Sequence, residues 1–289
     1  MKKEESMYCD LHTHSTFSDG TDTPAELIKK AEQAGLAAVA LTDHNTVSGL
    51  IEFLEAAKDS AVIAIPGAEF STEYEGREYH VVGLFIKEEH YKKVDEYCEP
   101  IRNAKEYSNR LLISNLKNAG YDVAYDEMMA CAGKKNVNRV AIADYLVKKG
   151  ILKDISEGFD TLLSPDGGYY VPSKRPSTLE TIRFIKSIGA VAVLAHPLHD
   201  LPAEEEVKVQ TLIKEGRKCE LDAIETDYSS YDECRKKQAK MIAQDNGLLF
   251  SGGSDYHGEG KKSINLGVGK GDLKVPMEYY VKLAERANG

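Results

Sequence analysis

Thr23-Pro-Ala-Glu-Leu-Ile-Lys-Lys-Ala-Glu-Gln-Ala-Gly35-Leu-Ala-Ala-Val-Ala-Leu-Thr-Asp43-His44 is the stretch from which the fold can be read. Thr23 and Glu26 have the spacing of a capping box, and Pro24 occupies the first helical position, where its missing N–H costs nothing. The spacing predicts a helix over residues 25–34, with Leu27, Ile28, Ala31 and Ala34 on one face and Gly35 as its stop. A short apolar run follows, Ala37 to Leu41, and a histidine stands just beyond it. The same rhythm returns later in the chain. Ser177-Thr-Leu-Glu180 opens a helix carrying Ile182, Ile185 and Ile188 as far as Gly189, and Ala190-Val-Ala-Val-Leu-Ala195 then leads to His196. Helix, strand, polar residue, repeated, is β/α alternation, and it favours parallel strands.

Other strand-like runs carry the same cargo. Met7 to Leu11 leads into Asp10-Leu-His12-Thr-His14-Ser-Thr-Phe-Ser-Asp19-Gly20. Alternate residues of an extended strand face one way, so His12 and His14 can aim at one point. Glu69 follows Ala61-Val-Ile-Ala-Ile-Pro-Gly-Ala68, and Asp255 and His257 follow Leu248 to Ser254. His80 differs in opening the run Val81 to Ile86, and His90 and His199 stand outside the pattern. Barrels of alternating β and α units gather their sites at the C-terminal ends of the strands. Imidazole and carboxylate are ligands for manganese, iron and zinc. Nine such side chains exceed the four to six that one ion takes, so two or three divalent ions with shared carboxylates are expected.

Taken together, Asp10-Leu-His12-Thr-His14-Ser…Asp19-Gly20, Leu41-Thr-Asp43-His44-Asn45-Thr-Val47, Pro66-Gly-Ala-Glu69, His80-Val-Val-Gly83, Ala195-His196-Pro197 and Gly253-Ser-Asp255-Tyr-His257-Gly258 resemble the PHP (polymerase and histidinol phosphatase) family of metal-dependent phosphoesterases. The resemblance runs from residue 8 to about 268. It implies an α/β fold, a distorted TIM-like (β/α)7 barrel. It also implies a ligand set: His12, His14, Glu69 and Asp255 on one ion, Glu69 shared with a second held by His80 and His196, and Asp19, His44 and His257 on a third. Ions so placed lower the pKa of a bridging water, so the nucleophile is expected to be metal-bound hydroxide. No G-x-S-x-G or activated cysteine competes with it. Asp43, directly before His44, is read as a residue that orients a ligand. Glu225, at the end of Leu221-Asp-Ala-Ile, either lines the pocket or forms a structural salt bridge.

Between residues 91 and 172 the strand signal lapses. Val94 to Leu116 and Val140 to Val147 carry helical spacing, which predicts a mainly helical insertion at 91–172 between barrel segments 1–90 and 173–289. Within it, Asn138-Arg139-Val-Ala-Ile-Ala-Asp-Tyr-Leu resembles the family's arginine-bearing helix start, a phosphate clamp in the making. Lys174, with Arg175, is a further candidate substrate contact.

The resemblance is to the stand-alone bacterial branch acting on nucleotide phosphates, among them 3′,5′-bisphosphonucleotides and short 5′-ends. A histidinol-phosphate phosphatase and a non-catalytic metal-binding module are the alternatives. With 37 Lys and Arg against 47 Asp and Glu, a net charge of −10, the chain lacks the basic footprint of a binder of long nucleic acid. A small phosphorylated partner fits, because bound dications reverse the local sign. No apolar run suits a membrane span or a signal peptide. Five cysteines without a C-x-x-C pair point to a reducing cytoplasm. Oligomeric state is not legible in the sequence.

Overall fold

A computed structural model describes residues 8–133 and 137–289; Met7, expected to head the first strand, lies outside them. The strands are β1 (Tyr8–Asp10), β2 (Ala38–Leu41), β3 (Ile63–Tyr74), β4 (Arg77–Leu84), β5 (Val191–Ala195), β6 (Ala223–Tyr228), β7 (Leu249–Gly253) and β8 (Val275–Pro276). The α-helices are α1 (Pro24–Gln33), α2 (Leu50–Ala56), α3 (Tyr91–Asn118), α4 (Tyr125–Ala132), α5 (Arg139–Lys148), α6 (Ile155–Asp160), α7 (Thr178–Ser187), α8 (Glu206–Lys218), α9 (Glu233–Asp245) and α10 (Met277–Asn288). Among the described residues no helix is long and apolar enough to cross a membrane. The chain divides into two compact units, residues 1–95 with 176–289, and residues 96–175.

Among the described residues the first unit holds all eight strands in one sheet, ordered β7-β6-β5-β4-β3-β2-β1-β8. β2 and β5 are apolar along their whole length and buried on both faces, as strands covered by helices outside and core inside must be. Beyond the ends of β1 and β7, Leu11 N–H donates to Gly252 O (3.1 Å), Asp255 N–H to His12 O (2.9 Å) and His14 N–H to Tyr256 O (2.9 Å). These bonds bring the two sides of the sheet together into a nearly closed barrel. Gly253 permits the approach, since a Cβ there would collide with the Cβ and backbone of His12. Cys9, Ala38, Ile65, Val82 and Val193 pack in the core of this unit.

The capping box is formed: Glu26 N–H donates to Thr23 Oγ1 and Thr23 N–H to Glu26 Oε2. Ser177 also precedes its helix, but without a side-chain capping bond.

The expectation of parallel strands needs a correction. β1–β2, β2–β3, β5–β6 and β6–β7 are parallel, whereas β3–β4, β4–β5 and β1–β8 are antiparallel. The cause is local. Only Glu75 (φ 48°) and Gly76 (φ 80°) separate β3 from β4. Two residues of positive φ make a hairpin turn, and a parallel return needs a crossover of a dozen residues or more.

The second unit is helical, and between residues 91 and 172 no described residue lies in a strand. Its core joins Leu112 and Leu116 of α3 with Met128, Ile142, Leu146 and Leu163. The sequence placed the insertion at 91–172; the compact helical unit spans 96–175, with the first turn of α3 counted in the barrel unit.

Candidate metal centre

The nine side chains singled out in the sequence reach one region of the first unit. His12 and His14 leave β1 in extended chain, His44 follows β2, His196 follows β5, and Asp255 and His257 follow β7. His196 (φ 31°) and Asp255 (φ 56°) take left-handed backbone, a conformation costly for non-glycine residues and common where a loop must aim a functional side chain. Two residues depart from the expected pattern. Glu69 lies in the middle of β3, and His80 in the middle of β4. The hairpin register pairs Ser71 with His80 and Glu69 with Val82, so Glu69 and His80 share a face as diagonal neighbours.

Glu69 is the hub. Its Oε2 lies 3.2 Å from His12 Nε2, 3.3 Å from His14 Nε2 and 3.0 Å from His44 Nδ1. Its Oε1 lies 2.8 Å from His80 Nδ1 and 3.2 Å from His196 Nε2. Asp255 Oδ1 approaches His14 Nε2 (3.2 Å) and His12 Nε2 (3.8 Å). Asp19 faces His257 Nε2 (3.2 Å) through Oδ1 and His44 Nε2 (3.8 Å) through Oδ2. Ligand atoms of His14, Asp19, His44 and His257 fall within 4.8 Å of one another, as do those of His12, His14 and Glu69, and those of His44, Glu69 and His80.

These atoms point together but do not satisfy one another. His12 Nε2, both ring nitrogens of His14, His44 Nδ1, His80 Nδ1 and Glu69 Oε2 are buried without hydrogen-bond geometry. Orphaned buried polar atoms are rare and call for an explanation. Cations fit: the donors are all imidazole nitrogen or carboxylate oxygen, and they converge within coordination range.

The electrostatics describe the same cluster. Burial raises the Glu69 carboxyl, but His12, His44 and His80 outweigh it and hold the group well below the usual carboxylate range. Asp255 is held low against burial by Lys261 and His257, and Asp19 by His44 and His257. Burial lowers His14, yet Asp255 and Glu69 prevail and raise it to about 9; Glu69 likewise raises His80 to about 10. Burial wins at His44, which falls to about 3.

A second set of residues aims the first. Glu225 Oε1 accepts from His12 Nδ1 (2.9 Å), and Oε2 accepts from the His196 backbone N–H (2.7 Å). Asp10 accepts from Ser254 N–H, Ser254 Oγ and Gly267 N–H, bracing the loop that carries Asp255. Asp43, expected to orient a ligand, accepts from Ser15 N–H, Ser15 Oγ and Ser18 Oγ, and so fixes the loop between His14 and Asp19. Asp255 Oδ2 accepts from Tyr228 OH (2.8 Å) and Lys261 Nζ (2.7 Å). The bracing by Asp10 and the contacts of Tyr228 and Lys261 escaped sequence reasoning; for Asp10, its place one residue before Leu11-His12 was the available signal.

Arg139 and Lys174 belong to the second unit. Arg139 begins α5, where Asn138 caps Ala141 N–H, and its guanidinium stands over the rings of Tyr170 (4.7 Å) and Phe159 (5.4 Å). Lys174 is exposed.

Comparison with known proteins gives concordant matches. The family model described as PHP domain matches residues 10–164. A 5′-3′ exoribonuclease of Haemophilus influenzae is 31% identical over 86% of this chain and 89% of its own. A 3′,5′-nucleoside bisphosphate phosphatase of Chromobacterium violaceum is 30% identical over 89% and 90%. The solved structure of a protein from Bifidobacterium adolescentis regarded as a metal-dependent phosphoesterase superposes with a TM-score of 0.80, 27% identity and 96% coverage of both chains.

Proposed function

The chain belongs to the PHP domain family and is a metal-dependent phosphoric-ester hydrolase; from that premise we propose that it hydrolyses a phosphomonoester of a nucleotide, such as AMP or a 3′,5′-bisphosphonucleotide, and trims short 5′-phosphorylated oligonucleotides. The convergence of five imidazole rings on the one carboxylate of Glu69 carries the proposal. His12, His14, Glu69 and Asp255 would hold one divalent ion, Glu69, His80 and His196 a second, and Asp19, His44 and His257 a third. Manganese, iron and zinc all suit this donor set. Such ions supply Lewis acidity toward a phosphoryl oxygen and acidify water in their reach.

The chain's own residues prepare that chemistry. Glu225 holds the proton of His12 on Nδ1 and leaves Nε2 as the ligand atom. The His257 Nδ1 lies 2.8 Å from the Asp255 carbonyl, which places its proton there and turns Nε2 toward Asp19. Asp10 and Asp43, by fixing the flanking loops, limit how far the ligands can spread. Arg139 is proposed as a phosphate contact: it opens a helix, and stacking on Tyr170 preorders its guanidinium. Lys174 is the weaker candidate. The nucleotide as substrate draws support from the two relatives above. Five free cysteines support a cytoplasmic setting.

Phosphate release by manganese-loaded protein tests the reading, with adenosine 3′,5′-bisphosphate, AMP, histidinol phosphate and a short 5′-phosphorylated oligonucleotide as substrates. Preference for a nucleotide or the oligonucleotide supports it. Preference for histidinol phosphate overturns the substrate and keeps the enzyme class.

A further inference from the structure

We propose that Lys261 is a catalytic residue of this centre, its ammonium donating to phosphoryl oxygens of the bound substrate. The inference rests on the phosphoesterase reading and adds a protein cation to the ions that reading requires. Asp255 divides its carboxylate between two neighbourhoods. Oδ1 faces the cluster, 3.2 Å from His14 Nε2 and 3.4 Å from His257 Nδ1. Oδ2 accepts from Lys261 Nζ and Tyr228 OH. The ammonium therefore stands one carboxylate's width from the atoms that gather the ions. Its side chain is 43% exposed, against 8% for Asp255, so it lies where the buried cluster meets water.

Two observations, and the charge that an ion would bring, favour a substrate contact over a structural salt bridge. An ammonium has three donors, and the acceptor the structure gives Nζ among the described residues is Asp255 Oδ2. Tyr228 donates to that same oxygen from a buried position, so Asp255 Oδ2 keeps a hydrogen-bond donor when Lys261 turns elsewhere. An ion on Oδ1 would draw on the charge that now pairs with Lys261, leaving an ammonium beside a cationic cluster. A phosphate group relieves that conflict by offering several anionic acceptors at once. The placement is also local: Lys261 ends the single turn Gly258–Lys261, which His257 immediately precedes.

The test compares Lys261→Met and Lys261→Arg with the wild type, all loaded with manganese. It reads inorganic phosphate affinity by calorimetry, ion content by metal analysis, and kcat/KM. Removing one donor aimed at developing charge typically costs ~10²-fold or more in rate. Lys261→Met is expected to lose kcat/KM on that scale and to weaken phosphate binding about tenfold at unchanged ion content; Lys261→Arg keeps part of both. Phosphate affinity equal to wild type, or a fall in ion content that accounts for the loss, overturns the proposal. Should the wild type release phosphate from no ester, the proposed function fails, while the calorimetric comparison still decides the role of Lys261.

Discussion

The parallel β/α repeats and the antiparallel hairpin of β3 and β4 bring ligands to one point by different means. In the repeats, His44, His196, Asp255 and His257 stand in loops just past the strands, and the loops must be braced. Asp43 does this for the His14–Asp19 loop, and Asp10 for the Asp255 loop. In the hairpin, Glu69 and His80 stand inside the strands. Glu69 is tied on both sides: its N–H donates to Asp43 O, its C=O accepts from Asn45 N–H, and Val82 faces it across the turnward ladder. The carboxylate that five rings approach thus sits on continuous sheet, with His80 beside it, while His44, His196, Asp255 and His257 sit on loops. If Glu69 is shared between ions as proposed, it tolerates least displacement, because moving it would disturb each of them.

The sharpest way to break this contrast is to remove the hub. Glu69→Gln is expected to lower phosphate release by well over ~10²-fold, beyond the 10–100-fold range for residues that only support a ligand; activity within tenfold of wild type would remove Glu69 from the centre. Asp19→Ala, on a loop, is expected to abolish turnover while circular dichroism and thermal melting show the fold retained. Lost folding instead would mark a structural metal site.

A smaller effect sharpens the role of bracing. Glu225→Gln keeps the acceptor for His12 but turns an amide N–H toward the His196 N–H, so ion affinity should fall ~10–100-fold. Equal affinity in a metal titration would make Glu225 mere packing. The smallest change addresses the hairpin itself. Gly76 has φ 80° with open space around it, so Gly76→Ala costs about 1 kcal/mol through backbone strain alone, a melting midpoint ~2–4 °C lower. An unchanged midpoint would mean the turn does not hold the hairpin.

Sequence carried the cluster further than it carried the topology. The nine side chains that gather in the first unit were legible because so many histidines and carboxylates recur beside apolar runs, and the runs themselves are visible by composition. Strand direction was not, since periodicity is blind to it; the two-residue link at Glu75-Gly76 held that information and was passed over. Glu225 was noticed but left between two roles, because its partners, His12 and the His196 backbone, lie 213 and 29 residues away. Lys261 and Tyr228 resemble any other Lys or Tyr until the fold sets them against Asp255. Arg139 was singled out through the resemblance of its helix start, and its stacking on Tyr170 depends on a residue 31 positions later in the chain.

Glu69, from the hairpin, is proposed to join ions that the flanking loops and His80 would hold. Metal analysis of wild type and Glu69→Gln, purified side by side from manganese-supplemented cultures, tests it directly. Two or three ions per wild-type chain and at most one in the variant is the predicted result; the same number in both would contradict it.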